Sequence, residues 1–506
     1  MKLLANTLVI LLVLVLLSQS TLAQRSIRCA SAPEFLSALG AVAPGQVIQL
    51  ADGSYDLGGS VVRTIRGKKN APIVIRAQHR GRAKFVGNSH FTFVGSEYIT
   101  LEGFEFAGTN GPAVELQACN NIRITRNTFH LNETQPGSWI FVTGILRDSI
   151  NVSHHNRIDH NTFEKKSQLG NFITIEGTLG KQPVVSQYDR IDNNLFRDIG
   201  PRVENALEAI RIGSAPYTLS SGYTVLEHNL FERCDGDPEY ISIKSSHDTI
   251  RYNTFRECLG SLSLRHGNGS VVEGNYILGN GKTGSFLDST GKTWTLGTGG
   301  VRFCGDDMKI VNNYFEGLTG SMWDATLAIP NGDADYGDGQ PLTKHFTIRR
   351  ALIAFNTMVN NKSGFEIGYD GGGFQGNWWK KPPRNMIVAN NVMVGNTDTL
   401  IKILSQPQET VWEGNYVYAT GPAVVSGTRI DGVIEENPNL ELVRGMWKPG
   451  LRSPVREGAS GNYPSIQYDI EGNLRGKTKD AGAFEMTNKP AKRNPLTTRD
   501  VGPNAK

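Results

Sequence analysis

The chain has 506 residues, among them 57 glycines and five cysteines, and a formal net charge of +4. Such a length usually divides into several domains, but a long repeat fold can absorb it in one body. Five scattered cysteines exclude a disulfide scaffold, and a mild positive excess without a basic helix or an aromatic and basic RNA motif sets nucleic acid aside while permitting an anionic ligand.

Residues 1–23, MKLLANTLVILLVLVLLSQSTLA, place Lys2 before an apolar run and end on small residues at Ala23, which predicts a secretory signal. The mature chain is then expected to be secreted or periplasmic and free of a membrane span, because nothing comparably apolar follows. The stretch SAPEFLSALGAVAPGQVIQL predicts a capping helix, with Ser31 as N-cap and Glu34 three residues on, running into a first strand.

From there one phrase recurs: an alternating strand, an asparagine, a small or aromatic residue and an apolar residue. It reads IRITRNTF at Asn127, RIDHNTF at Asn161, RIDNNLF at Asn194, TIRYNTF at Asn253 and KIVNNYF at Asn313, and continues to TVWEGNYV at Asn415. Steps of 22 to 43 residues fit a solenoid with loops inserted on its turns. Period-two strands with no helical stretch between them exclude βαβ architectures. An asparagine at a fixed corner can take the left-handed conformation and bond to its equivalent in the next coil. The prediction is an all-β fold, a right-handed parallel β-helix over 24–486 with an N-terminal capping helix, and a C-terminal tail over 487–506 whose composition reads as disordered. Cys234 and Cys258, each three residues after a corner aromatic, are expected to stack as a buried ladder without a disulfide.

Four segments align in register: EAIRIG (208–213), EYISIK (239–244), GSLSLR (260–265) and GGVRFC (299–304). Alternation turns Ile210, Ile212, Ile241, Ile243, Leu262, Leu264, Val301 and Phe303 inward, leaving Lys244 and Arg265 side by side outside, with Arg211 and Arg302 on the same face. Like charges directly opposite on neighbouring strands destabilise a sheet, so the juxtaposition calls for a reason beyond folding. Asn205, Glu208, Asp237 and Glu239 stand at the entrance to these strands and offer hard oxygen ligands of the kind calcium takes. A metal beside a row of cations suits abstraction of the C5 proton of a uronate, where the developing dianion needs electrostatic stabilisation. A lysine can serve as base there, and an arginine, always charged, stabilises or relays.

The segments NALEAIRIG, DPEYISIKS, NTFRECLGSLSLRHG, GGVRFCG, VNNYFEGL and KDAGAFE resemble the β-helical polysaccharide lyase family of chondroitinase B and the alginate lyases, from about Pro33 to about Glu485. The resemblance implies calcium-assisted β-elimination on an acidic polysaccharide, and between alginate and its rival dermatan sulfate the modest net charge favours alginate, since sulfate groups would call for more Arg and Lys in the groove. It implies Lys244 as base, Arg265 as acid or its partner, calcium on Asn205, Asp237 and Glu239, and substrate contacts from Arg211, His266 and Arg302. Asp237 stands where the family usually has glutamate, and Met308 where histidine is common, which touches one subsite.

Other readings stay open. Asp306 and Asp307 are the best available acids for a hydrolase of the polygalacturonase type, though neighbours on a strand face opposite sides. A non-catalytic carbohydrate-binding β-helix is the third. DGGGFQGNWW (370–379) reads either as a sugar-stacking platform or as packing over the coil, and the insertion over 324–344 as a wall at one groove end. Asn132, Asn151, Asn268 and Asn361 carry the glycosylation triplet.

Overall fold

The computed structural model describes residues 26–145, 151–370 and 379–505. The expected signal over 1–23 lies outside the described residues. Three sheets of 14 strands run the length of the molecule, one starting at Ser26–Cys29, one at Gly53–Asp56 and one at Ser60–Arg63, and all their strands pair in parallel except Thr283–Leu287 of the last, which pairs antiparallel at its side. Each coil contributes one strand to each sheet in turn, as in Arg190–Asp192, Leu195–Ile199 and Ile210–Gly213, so the chain forms a parallel β-helix. The core is a stack of like on like. Phe106, Phe129, Phe163, Phe196, Phe231 and Phe255 follow one another with ring centroids 4.5 to 4.9 Å apart.

The open amino-terminal end is closed by helix α1 (Ala32–Ala41), which drops Phe35 and Leu39 onto the first coils; Phe35 packs on Phe85 and Phe91. Ser31 Oγ accepts from the Glu34 N–H, and the Glu34 carboxylate reaches back to the Ala30 N–H at 2.7 Å. One donor that the helix start leaves unpaired is thus satisfied, together with one on the chain entering it.

At the recurring corner, the side-chain oxygen of each asparagine accepts from both the backbone N–H and the Nδ2 of the asparagine one coil earlier. For Asn127 on Asn161 the distances are 2.9 and 3.0 Å, and the pattern repeats without a break to Asn391 on Asn415. The left-handed turn falls one residue earlier than expected. Arg126, His160, Asn193, His228, Tyr252, Asn312, Phe355 and Asn390 carry φ of 54° to 57°, and only Gly274 and Gly414 fill the position with glycine. A left-handed L-residue costs about 1–2 kcal/mol, and the buried asparagine bonds that the turn makes possible offset it. Placing the strain on the preceding residue leaves the asparagine free to face inward.

All five cysteines are buried thiols, and the Cys234 N–H points at Cys258 Sγ (3.4 Å), a ladder as expected. Asn361 is buried, with its carboxamide bonded to Leu318 and Phe315, so its triplet is structural. The terminal segment is not loose. Arg80 and Arg126 donate to the Pro503 carbonyl (2.6 and 2.8 Å), the Gly502 N–H bonds to Asn193, and Val501 is buried against Leu195 and Leu230. Composition misleads here because the segment needs no core of its own; it borrows donors and an apolar notch from the coils.

Two further carboxyls are fully enclosed beneath the turns, Asp189 bonded by Ser186 and Asp248 by Ser245 and the Thr224 N–H. Burial pushes Asp189 up to about 6 and Asp248 up to about 7, against the pull of these hydrogen bonds. Both lie above the unfolded value of ~3.9, so their contribution to stability is full below about pH 4 and is lost as pH rises through about 6 to 7. Asp248→Asn keeps the acceptor and cannot ionise. It is expected to melt above the wild type at about pH 8 and level with it at about pH 4, as thermal scans at the two pH values will show.

Candidate functional site

The predicted register holds across the four strands. Ile210, Ile241, Leu262 and Val301 pair in sequence, as do Ile212, Ile243, Leu264 and Phe303, and all eight are fully buried. Between them, one outward row runs Thr174, Arg211, Ser242, Ser263, Arg302, Ala328, Glu366 and Lys402.

At the strand ends the register changes. Lys244 pairs with His266, and Arg265 is the extra residue of a β-bulge. A bulge re-aims side chains, and here it takes two cations that would have stood directly opposite each other out of register. A second irregularity makes Tyr240 the extra residue, so Glu239 pairs with Ser261. Gly267 ends the bulged strand at φ 94°; a Cβ there would stand 1.9 Å from the Ser245 carbonyl, so no other residue fits.

Lys244 and Arg265 therefore lie on one wall at successive coils, both partly exposed, with the Lys244 side chain 19 % accessible. Lys244 Nζ is 3.9 Å from Glu208 Oε1. Arg265 donates to the Thr343 carbonyl (3.3 Å) and sits 3.5 Å from His266 Nδ1, and among the described residues it makes no ion pair. Burial, then the charges of Arg265 and Lys244, hold His266 well below the usual imidazole range, so it is neutral. Arg211 pairs with Glu176 at 2.9 Å. Arg302 is buried. Its guanidinium is clamped by the Glu239 carboxylate and Ser263 Oγ and lies 4.4 Å from the centroid of the Trp323 ring.

The acidic side is uneven. Asn205 is exposed on the loop before the strands, while Asp237 accepts from the Glu239 N–H (2.8 Å) and the Leu207 N–H (3.4 Å). Burial, then Glu208 and Glu239, push Asp237 up to about 8. Burial also lifts Glu208 above the ordinary carboxylate range, and its Oε2 is enclosed with no hydrogen-bond partner. Burial would raise Glu239 as well, but Arg302, Lys244 and Arg265 bring it down to about 2. Among the described residues no three His, Cys, Asp or Glu side chains form a ready metal cage.

Met308 is fully buried in the core and so lines no subsite. Asp306 is locked to Arg349 and Arg350, and Asp307 to Arg350, which leaves neither free for hydrolysis. Sequence reasoning left unassigned Trp323, Thr343 and Tyr336, which the insertion brings down onto Arg302, Arg265 and the Gly267 carbonyl. The same insertion reaches Thr218 through the Leu342 carbonyl, so it walls the groove on that side. Residues 371–378 of the 370–379 stretch lie outside the described residues; Trp379 packs on His345 and Trp323.

Three parallel sheets wound into one coil, with cations and carboxylates gathered on a single sheet, place the chain among the parallel β-helix proteins. Among these, the chain belongs to the chondroitinase B family, whose model matches residues 29–435. Among solved structures it is similar to a mutant of the PL6 family alginate lyase AlyGC, at 26 % identity and a TM-score of 0.70, over 84 % of this chain and 55 % of that one. The unmutated AlyGC gives 24 % and 0.69 over 94 % and 60 %. Alginate lyase AlyF-OU02 in complex with G6 gives 20 % and 0.67 over 96 % of both chains. The chain thus spans little more than half the length of AlyGC. No curated protein matches it.

The Arg302–Glu239 pair is testable by itself, because removing one member of a buried pair strands the other. Arg302→Met is expected to lower stability by about 3–5 kcal/mol in denaturant melts. The double variant with Glu239→Gln should recover most of that loss.

Proposed function

We propose that the protein is a secreted or periplasmic polysaccharide lyase that cleaves a uronate polymer, alginate first, by β-elimination. The observation that carries this reading is Arg265, a half-buried guanidinium with no carboxylate partner among the described residues, one coil from Lys244. A partly buried guanidinium that makes no ion pair of its own favours an anionic ligand. A uronate carboxylate supplies it. The Lys244 amine takes the C5 proton, the C5–H electron pair becomes the C4=C5 double bond, and the glycosidic C4–O bond breaks. Arg265 faces the departing oxygen as acid or as partner of the acid, and neutral His266 fixes the guanidinium from beside it. Arg211 and Arg302 are tied to carboxylates and act as rim contacts.

The acidic pocket fits a hard divalent cation in its chemistry: an orphaned Glu208 oxygen, and an Asp237 carboxyl raised by burial and then by Glu208 and Glu239, both mark hard oxygens that lack a cation. Asn205, Asp237 and Glu239 would hold calcium, which would neutralise the uronate carboxylate and acidify the C5 proton. The shorter arm of Asp237 makes this the weaker grip of the three. The solved relatives named above as alginate lyases support alginate, and the family model's own description supports chondroitin-type polymers as the second reading.

Incubation with alginate should raise absorbance near ~230 nm from the conjugated product. Lys244→Ala is expected to lower kcat by a factor of about 10² to 10⁴ while polymer binding persists, the range a positioned base contributes. Chelation should slow the wild type, and added calcium should restore it. Activity that survives Lys244→Ala intact removes the base; activity indifferent to chelation removes the metal.

A further inference from the structure

The outward row continues past the catalytic pair to a place with no assigned role. Glu366 lies on the strand Phe365–Ile367, three coils beyond that of Arg265, or roughly 14 Å along the axis at the usual strand spacing. Phe365 and Ile367 go into the core, so Glu366 points out of the sheet, yet it is only 1 % exposed. Neither of its carboxylate oxygens has a hydrogen-bond partner, and the side-chain oxygen of Asn331 is enclosed and unpaired as well. Both residues line one cavity of about 690 Å³ that also receives Tyr369, Trp379 and Lys402. Lys402 is the direct ladder neighbour of Glu366 and makes no ion pair among the described residues.

An enclosed carboxylate without donors costs free energy unless something supplies them. The unmet demand is for hydrogen-bond donors only, which a sugar's hydroxyls offer. A metal ion would find the Asp370 carboxylate in the same lining, but it would have to sit beside the Lys402 and Lys380 ammoniums, which balance the two carboxylates. Trp379 and Tyr369 add aromatic surface of the kind that packs on the apolar face of a pyranose ring, and Lys402 can take a carboxylate. We infer that this cavity is a distal uronate subsite, in which Glu366 and Asn331 accept from ring hydroxyls and Lys402 holds the ring's carboxylate. Glu366 also sets specificity: an anionic side chain on an anionic polymer's path admits a hydroxyl and repels a sulfate ester at the same point.

The inference rests on the lyase reading, and its test separates the two. Steady-state constants are measured on purified uronate oligosaccharides of increasing length, for the wild type, Glu366→Ala and Lys402→Met. In the wild type KM is expected to fall about tenfold at the length that first reaches the cavity, with kcat unchanged, as one charge-assisted bond would give. Both variants should lose that step and keep wild-type constants on the shortest oligomer cleaved. Absence of the step in the wild type, its survival in Glu366→Ala, or an equal loss at every length overturns the subsite. If Glu366→Ala does not fold, Glu366→Gln keeps the volume, exchanges an acceptor for a donor and is read the same way. If the wild type makes no unsaturated product at any length, the lyase reading fails. Calorimetric binding of the longest oligomer, lost in Glu366→Ala or retained, then decides the subsite alone.

Discussion

Everything on the outer wall depends on the coils stacking without slip, and the interaction that enforces this is the asparagine ladder. Each side chain bridges to the next coil through two donors and one shared oxygen, so sliding a coil by one residue would strand several buried polar atoms at once. The phenylalanine stack cannot do this alone. Dispersion between rings is forgiving of small shifts, whereas an amide oxygen accepting at about 3 Å is not. With register fixed, a single position in each repeat projects from one straight line.

That line and the strand ends beside it concentrate charge, and the fold manages the consequence locally. Lys244 has Glu208 beneath it, Arg211 has Glu176, and Arg302 has Glu239. The bulge shifts Arg265 off the ladder position opposite Lys244. Of these four cations, Arg265 is the one that makes no ion pair among the described residues. A guanidinium bonded only to a carbonyl and beside a neutral imidazole gains more from an incoming carboxylate than one already in a salt bridge.

Much of this was legible in the sequence. Alternation and the recurring asparagine gave the architecture, and the inward residues of 210–212, 241–243, 262–264 and 301–303 fell where period two put them. The family resemblance rested on the same segments, and the family model spans them. The bulge was not legible, because SLSLRHG alternates as smoothly as YISIK and nothing local marks which residue is left over. Nor was the position of the left-handed turn, since ordinary side chains such as Arg126 and Phe355 occupy it and only tertiary bonding holds them there. Trp323 and Thr343 meet the site from an insertion, at sequence distances that no periodic pattern encodes. The tail's docking was hidden for a related reason, as its partners Arg80 and Arg126 lie some four hundred residues away.

A solenoid turns variation at one repeat position into a spatial series. The outward slot between two core residues holds arginine, serine, serine, arginine, alanine, glutamate and lysine on successive coils from Arg211 to Lys402. None of these changes disturbs the core, because their neighbours on either side stay apolar and inward. Side chains in the row recur at about 4.8 Å, so a polymer laid along the axis meets them one after another. Compensation and exposure then decide which of them act on it: the serines and alanine leave room, Arg302 is held from below, and Glu366 remains enclosed and unpaired at the far end. In such a fold, chemistry and polymer selection can change by single substitutions in a fixed row while the ladder on the other wall keeps every coil in place.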